Sequence, residues 1–306
     1  MSAQKDSYDQ MRLDVLPAPL IFILSGVSNY GGTALATALL FSFIPAHTVA
    51  WYRAVVTAVF LLAWRRPFRR GLTLKDLVTS TIFGIMTIGM NMVFYLAVDR
   101  IALGTAVTIE FLGPVTVAIV MGRGLKTRVA TLLAVLGVVS IGGFGLDLSD
   151  PSQLLGTFFA LGAGAMWSGY IVIGAHVASK RSGIDSLAIG MATGSIATLP
   201  FVGKSALIPL VSGWWPFLVI VAVGVLSSLL PYTIEQSVLR RLGSDNFALM
   251  SALFPVISTF VALVVLFQIP NMWEVVGIVS VSVAVALVNY HPRGHGRIKR
   301  VPKRVS

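Results

Sequence analysis

The stretch "GTAVTIEFLGPVTVAIV" runs from Gly104 to Val120. It has the length and apolarity of a membrane-spanning helix, yet it carries a carboxylate, Glu110, near its middle. The rest of the chain is of the same kind. Of 306 residues, 56% are hydrophobic and only 11% charged, and the mean hydropathy is +0.86. A soluble domain would be nearly half apolar and about a quarter charged. The apolar residues come in runs of about 20, the length that crosses a hydrocarbon core of roughly 30 Å. Ten such runs can be drawn: 18–43, 46–64, 77–98, 101–121, 128–146, 154–178, 184–203, 215–239, 244–268 and 272–290. The expected fold is all-α: a polytopic membrane protein with ten transmembrane helices.

The joints between the runs sort by charge. The even-numbered joints and the two tails hold 20 of the 23 basic residues, with Arg65, Arg66, Arg69, Arg70 and Lys75 in the second joint alone. The odd-numbered joints hold Arg100 and Lys204, and Arg53 lies inside the second run. The positive-inside rule then puts both termini in the cytoplasm and the protein in the cell (inner) membrane. The net charge of +11 has the same origin. A nucleic-acid partner is not expected, because its site would gather the basic groups into one patch. The tail 291–306, "HPRGHGRIKRVPKRVS", reads either as a solvated cytoplasmic segment or as a grip on anionic headgroups. The first 17 residues carry Asp6, Asp9 and Asp14 beside Lys5 and Arg12, unlike a signal peptide, so the first run reads as an uncleaved span. The absence of cysteine excludes disulfides and thiolate chemistry.

The chain also aligns with itself. "YLAVDRIALGTAVTIEFLGPV" (95–115) falls on "QSVLRRLGSDNFALMSALFPV" (236–256) at an offset of 141, matching Arg100 with Arg241, Pro114 with Pro255 and Val115 with Val256. The first spans correspond at an offset of 140, Ser28 with Ser168 and Tyr30 with Tyr170. The organisation read from this is a cytoplasmic N-tail (1–17), one five-helix repeat (18–147), a second (154–290) and a basic cytoplasmic C-tail (291–306). An odd number of spans per repeat inverts the second half in the membrane. Inverted repeats characterise secondary transporters, whose substrate site lies near the midplane between the halves.

The stretch "NMVFYLAVDRIALGTAVTIEFLGPV" (91–115) resembles the third-to-fourth span signature of the EamA-type carriers of the drug/metabolite transporter superfamily. Within that group it is similar to the threonine/homoserine exporters. Their Asn-x-x-Phe-Tyr is represented here by Asn91, Phe94 and Tyr95. Their Leu-Gly-x-Ala-Val-x-x-Glu-Phe-x-Gly-Pro is represented by Leu103, Gly104, Ala106, Val107, Glu110, Phe111, Gly113 and Pro114. "LPYTIEQSVLRRL" (230–242) resembles the family's eighth span, with Tyr232 and Glu235 as its Tyr-x-x-Glu. Many relatives place a Glu before the second-half proline, where this chain has Phe254. The resemblance implies a ten-helix inner-membrane exporter of small metabolites, with amino acids as the expected cargo.

An ionisable side chain at mid-membrane costs roughly 2.5–3.5 kcal/mol or more, so it is kept facing a cavity or a partner. Counted from Ile101 at about 1.5 Å per residue, Glu110 lies roughly 13 Å deep, and Arg53, counted from His47, roughly 9 Å. Two readings of Glu110 stay open: a structural ion pair with Arg53, or a cavity carboxylate that binds a substrate ammonium, a coupling proton, or both in turn. Arg53 suits a carboxylate, which guanidinium binds bidentately. Asn91 and Tyr95 reach a similar depth on the third span. Glu235 precedes Arg240 and Arg241 by five residues, so it either pairs with them or serves substrate access from the cytoplasm. Asn29 and Tyr30 supply neutral hydrogen-bond partners, and Trp167 and Tyr170 an aromatic wall. Helix packing through small and polar residues is the alternative for these. Pro114 and Pro255 read as flex points or as static kinks, and Gly190 to Gly194 as a packing stripe.

"GRGLKT" (122–127) lacks the adjacent Gly-Lys pair of a phosphate loop, and no metal-ligand spacing appears among the four histidines. No metal, cofactor or enzymatic chemistry is expected. Without an ATPase motif, transport draws on a gradient or an exchange partner. The expectation is export of a small-molecule substrate, an amino acid such as threonine or homoserine, by alternating access. The alternatives are a drug or other metabolite carrier of the same fold, and a membrane-embedded lipid enzyme, for which no nucleophile–base pair is present.

Overall fold

The computed structural model describes residues 18–67, 73–121, 124–178, 183–235 and 251–289, and among them every regular element is helical. The two tails, Arg240 and Arg241 lie outside the described residues. The chain begins with α1 (Ala18–Leu39), α2 (Ala46–Arg65) and α3 (Leu74–Val98). A charged turn leads to α4 (Leu103–Glu110) and α5 (Leu112–Met121), then α6 (Leu125–Ser140), which ends in a π turn at Ile141–Gly145. Next come α7 (Pro151–Ala178) and α8 (Gly183–Val202), a 3₁₀ turn (Gly203–Leu207) and the single-turn α9 (Ile208–Val211). α10 (Trp214–Gly224) runs into a second π turn (Val225–Leu229) and continues to Glu235. The described chain closes with α11 (Phe254–Val265) and α12 (Met272–Asn289). Among the described residues five helical stretches are long and apolar enough to cross a membrane: Leu20–Leu39, Ala46–Arg65, Leu74–Val98, Ile184–Val211 and Trp214–Glu235. Shorter apolar helices accompany them.

Local chemistry explains the ends and breaks. Thr73 and Asp76 exchange side-chain and backbone hydrogen bonds at the start of α3, and Asn271 and Glu274 do the same at the start of α12. These reciprocal contacts satisfy amides that have no partner within the helix. Pro114 has no N–H to offer the carbonyl of Glu110, and the fourth span breaks at Phe111, separating α4 from α5. The ninth span is interrupted in the same way, with a turn at 252–253 just ahead of Pro255.

The helices interlock closely. α3 lies against α7 and α8, α2 against α8, and α6 against α12. α3 and α8 touch through Gly84 and Gly190, where a Cβ on Gly84 would run into the Gly190 carbonyl. Only a small residue permits that approach. Side chains tie both ends of the bundle. At one end the Thr48 and Ser205 hydroxyls bond at 2.6 Å, and Tyr52 donates to Ala206 O at 2.6 Å. At the other end Arg65 Nε meets the buried Asp185 carboxylate at 3.0 Å.

Candidate binding site in the bundle interior

α2 buries Arg53 to 4% exposure. Its Nε donates to Ser228 Oγ at 3.0 Å, and its Nη2 donates to Ser227 O and, at 3.4 Å, to Asn29 Oδ1 on α1. The guanidinium carbon stands 4.7 Å from the centre of the Tyr95 ring, a cation–π contact. Two of these acceptors come from the π turn. Such a turn widens the helix and leaves carbonyls open to outside donors. Leu226 O receives Ser28 Oγ at 2.6 Å and Ser227 O receives Arg53. Every hydrogen-bond partner of Arg53 among the described residues is neutral. The Tyr95 hydroxyl donates to Thr33 Oγ1 at 3.3 Å, and Thr33 donates to Asn29 O.

Beside Arg53 is a small cavity, with room for about one water, between α2, α3, α8 and the end of the eighth span, lined by Arg53, Asn91, Ser228 and Tyr232 together with Ala50, Ala54, Ile88 and Met191. Asn91 Nδ2 donates to Thr87 O at 2.7 Å and to the Tyr232 hydroxyl at 3.3 Å.

Glu110 is the last of the eight residues of α4, about 10 Å from its start. It is 7% exposed. Among the described residues no ion pair joins it to Arg53, whereas Arg65 pairs with Asp185 and Arg100 with its neighbour Asp99. Rings stand around this level. Phe111 meets Trp167 edge-on at 4.7 Å and Phe254 at 6.0 Å, and Phe254 stacks on Phe22 at 4.7 Å and meets Tyr30 edge-on at 5.7 Å. Phe254 therefore puts a hydrocarbon wall just before Pro255. Tyr30 lies within electrostatic reach of Glu110, Glu235 and Arg53. Glu235 accepts from Ser25 Oγ at 3.3 Å, which ties the end of the eighth span to α1.

The other half of the chain holds the start of α4. Leu103 N, an amide without an intrahelical acceptor, donates to Gln268 Oε1 at 3.0 Å. Thr105 Oγ1 donates to Glu274 Oε1 at 2.6 Å, and Asn271 Nδ2 donates to Gly145 O at 2.8 Å. The structure thus gathers Arg53, Asn29 and Tyr95 into one bonded interior, with Asn91 lining the same cavity as Arg53 and with Glu110, Tyr30 and Trp167 around an adjacent aromatic cluster. Glu235 stands apart with Ser25, and the Tyr170 side chain lies outside the described residues. The sequence reading did not single out Ser227, Ser228 or Tyr232 as site residues. One signal pointed to Tyr232: it follows Asn91 by 141 residues, the offset of the repeat. Among the described residues no group of acidic or histidine side chains could hold a metal ion.

The EamA-like transporter family matches residues 154–290. The threonine/homoserine exporter RhtA of Escherichia coli (strain K12) is 32% identical over 243 residues, 78% of this chain and 80% of that protein. RhtA of Salmonella typhimurium (strain LT2) aligns with the same identity and coverage. An uncharacterized transporter of Bacillus subtilis (strain 168), YcbK, is 23% identical over 183 residues, 56% of this chain and 58% of that one. A crystal structure of a protein at 17% identity superposes with a TM-score of 0.57 over 88% of this chain and 96% of that chain, a likeness of fold alone.

Proposed function

We propose, from the premise that this chain belongs to the EamA-like transporter family and is a multi-pass membrane transporter, that it exports small zwitterionic amino acids by alternating access. The carrying observation is a pair of buried opposite charges that do not meet. Arg53 is bonded to neutral groups, and Glu110 is 7% exposed with no ion pair to Arg53. Burying either charge without a counter-ion is costly. An α-amino acid offers a carboxylate for the guanidinium and an ammonium for the carboxylate in one molecule. The relatives named threonine/homoserine exporters support that cargo, at 32% identity.

The membrane arrangement proposed is ten spans in two inverted repeats, 18–147 and 154–290, with the basic joints and tails in the cytoplasm. The neighbour pattern supports it. Exchange each span of one half for its counterpart in the other, and several packed pairs map onto packed pairs, although α2 against α3 has no comparable counterpart in α8 against α10. α3 against α7 becomes α10 and its π turn against α1, and α6 against α12 maps onto itself. The breaks ahead of Pro114 and Pro255 correspond as well. The small cavity beside Arg53 is then the collapsed substrate chamber, and the two halves rock apart to open it from either side. Glu110 can take a proton once the ammonium leaves, which couples export to a proton gradient.

The test is flux of labelled threonine and homoserine into sealed liposomes carrying the purified protein, with and without an imposed pH gradient. Saturable uptake, stimulated when protons can be exchanged, is expected. Absence of amino-acid flux in either condition overturns the reading.

A further inference from the structure

We propose that Asn91 and Tyr232 form a hydroxyl-recognition pair that selects amino acids with a hydroxyl in the side chain over apolar ones of the same shape. The inference rests on the amino-acid reading above and adds to it which part of the cavity meets the side chain. The starting point is the orientation of one amide. Thr87 O is a carbonyl and can only accept, so the Asn91 group 2.7 Å from it is the –NH₂. The same nitrogen lies 3.3 Å from the Tyr232 oxygen, which therefore accepts. The Tyr232 proton must point elsewhere. No acceptor takes it among the described residues, and no donor there reaches Asn91 Oδ1. Both residues line the cavity next to Arg53.

The Asn91 acceptor is not sealed. Among the described residues the buried polar side-chain atom without a partner is Ser282 Oγ, so Asn91 Oδ1 retains contact with open space. A donor and an acceptor side by side fit a ligand group that both accepts and donates, which is a hydroxyl. An ammonium has no acceptor and a carboxylate no proton, so each satisfies only one of the two. Ser228 and Arg53 line the same cavity and supply donors for the carboxylate. The apolar lining of Ala50, Ala54, Ile88 and Met191 gives no other polar contact to a side chain. A site that hydrogen-bonds a substrate hydroxyl rejects the analogue without it, because its own polar groups are left unpaired. Asn91 and Tyr232 also come from different halves of the chain, so the pair is complete only when the halves are closed on the cavity.

Threonine and valine, which differ by a hydroxyl for a methyl, are the probes. Flux of each is measured in liposomes with the wild-type protein and with Tyr232→Phe, which removes the donor and keeps the ring. Wild type is expected to favour threonine, and Tyr232→Phe to lower the threonine-to-valine ratio at least about tenfold. Asn91→Ala, read by the same ratio, is expected to move it in the same direction and serves if the first variant does not insert. An unchanged ratio in an inserted variant overturns the assignment while leaving amino-acid transport standing. A wild-type protein that carries neither amino acid overturns the transport reading and the pair together.

Discussion

Arg53 is gripped by Ser228, Ser227 O and Asn29, with the Tyr95 ring beneath it, and lysine cannot reproduce that set. A lysine ammonium keeps the charge but loses the planar fork and the stacking face. Arg53→Lys is expected to raise the KM for amino acid about tenfold or more, since hydrogen bonds to a charged group are worth about 1.5–3 kcal/mol each. An unchanged KM would detach Arg53 from substrate. Glu110→Gln is the complementary change. It keeps the shape of the side chain at the end of α4 and removes its charge. Export is expected to be lost while the variant reaches the membrane at the normal level, and undiminished efflux would leave Glu110 with a structural role alone. These two positions were legible in the sequence because a charge inside an apolar run is costly enough to need a reason. Ser227 and Ser228 were not. A serine in a membrane helix commonly satisfies itself on the preceding turn, as Ser227 Oγ does on Val223 O, so its presence signals nothing.

Among the elements, α4 is the most informative. It is eight residues long, Ala102 gives its N-terminus no side-chain cap, and from the other half of the chain Gln268 accepts from the Leu103 amide and Glu274 from the Thr105 hydroxyl. The helix that carries Glu110 is therefore docked at its first turn on the α11–α12 connection. In the proposed orientation this docking shuts the outer side of the chamber. Glu274→Ala removes the acceptor of Thr105 and loosens that closure. The chain has no cysteine, so Thr108→Cys, at a position now fully buried, provides a clean reporter. Labelling of this cysteine by a membrane-impermeant maleimide on intact cells is expected to speed up about tenfold or more in the Glu274→Ala background, the loss of a charge-assisted hydrogen bond setting the scale. An unaltered rate would show that the closure does not depend on Glu274. The sequence marked the break in this span through Pro114, but not the docking. Gln268, Asn271 and Glu274 read as an ordinary polar connection until α4 is laid beside it.

At the scale of the whole molecule, span positions were legible because hydropathy runs and membrane thickness leave little choice of length. Among the described residues the helices overlap the apolar runs, five of them long and apolar enough to cross a membrane, while the seventh continues through a 3₁₀ turn and α9 to Val211, eight residues beyond the run. The proposed inversion was legible through alternating charge, and through the offset between the halves. That offset is 140 in the first spans and 141 from Asn91 and Tyr232 onward. Somewhere between, the second half has gained one residue. The π turn at Val225–Leu229 is a place for it, since such a turn holds one residue more than the α-helix around it. That single surplus residue sets the rotational phase of everything after it on the eighth span. Deleting one residue within 225–229 would restore an unbroken pitch and swing Tyr232 and Glu235 by about 100° around the helix axis. The expected result is an inserted protein without amino-acid flux, and a deletion variant that still carries cargo would show that the phase of this span is immaterial.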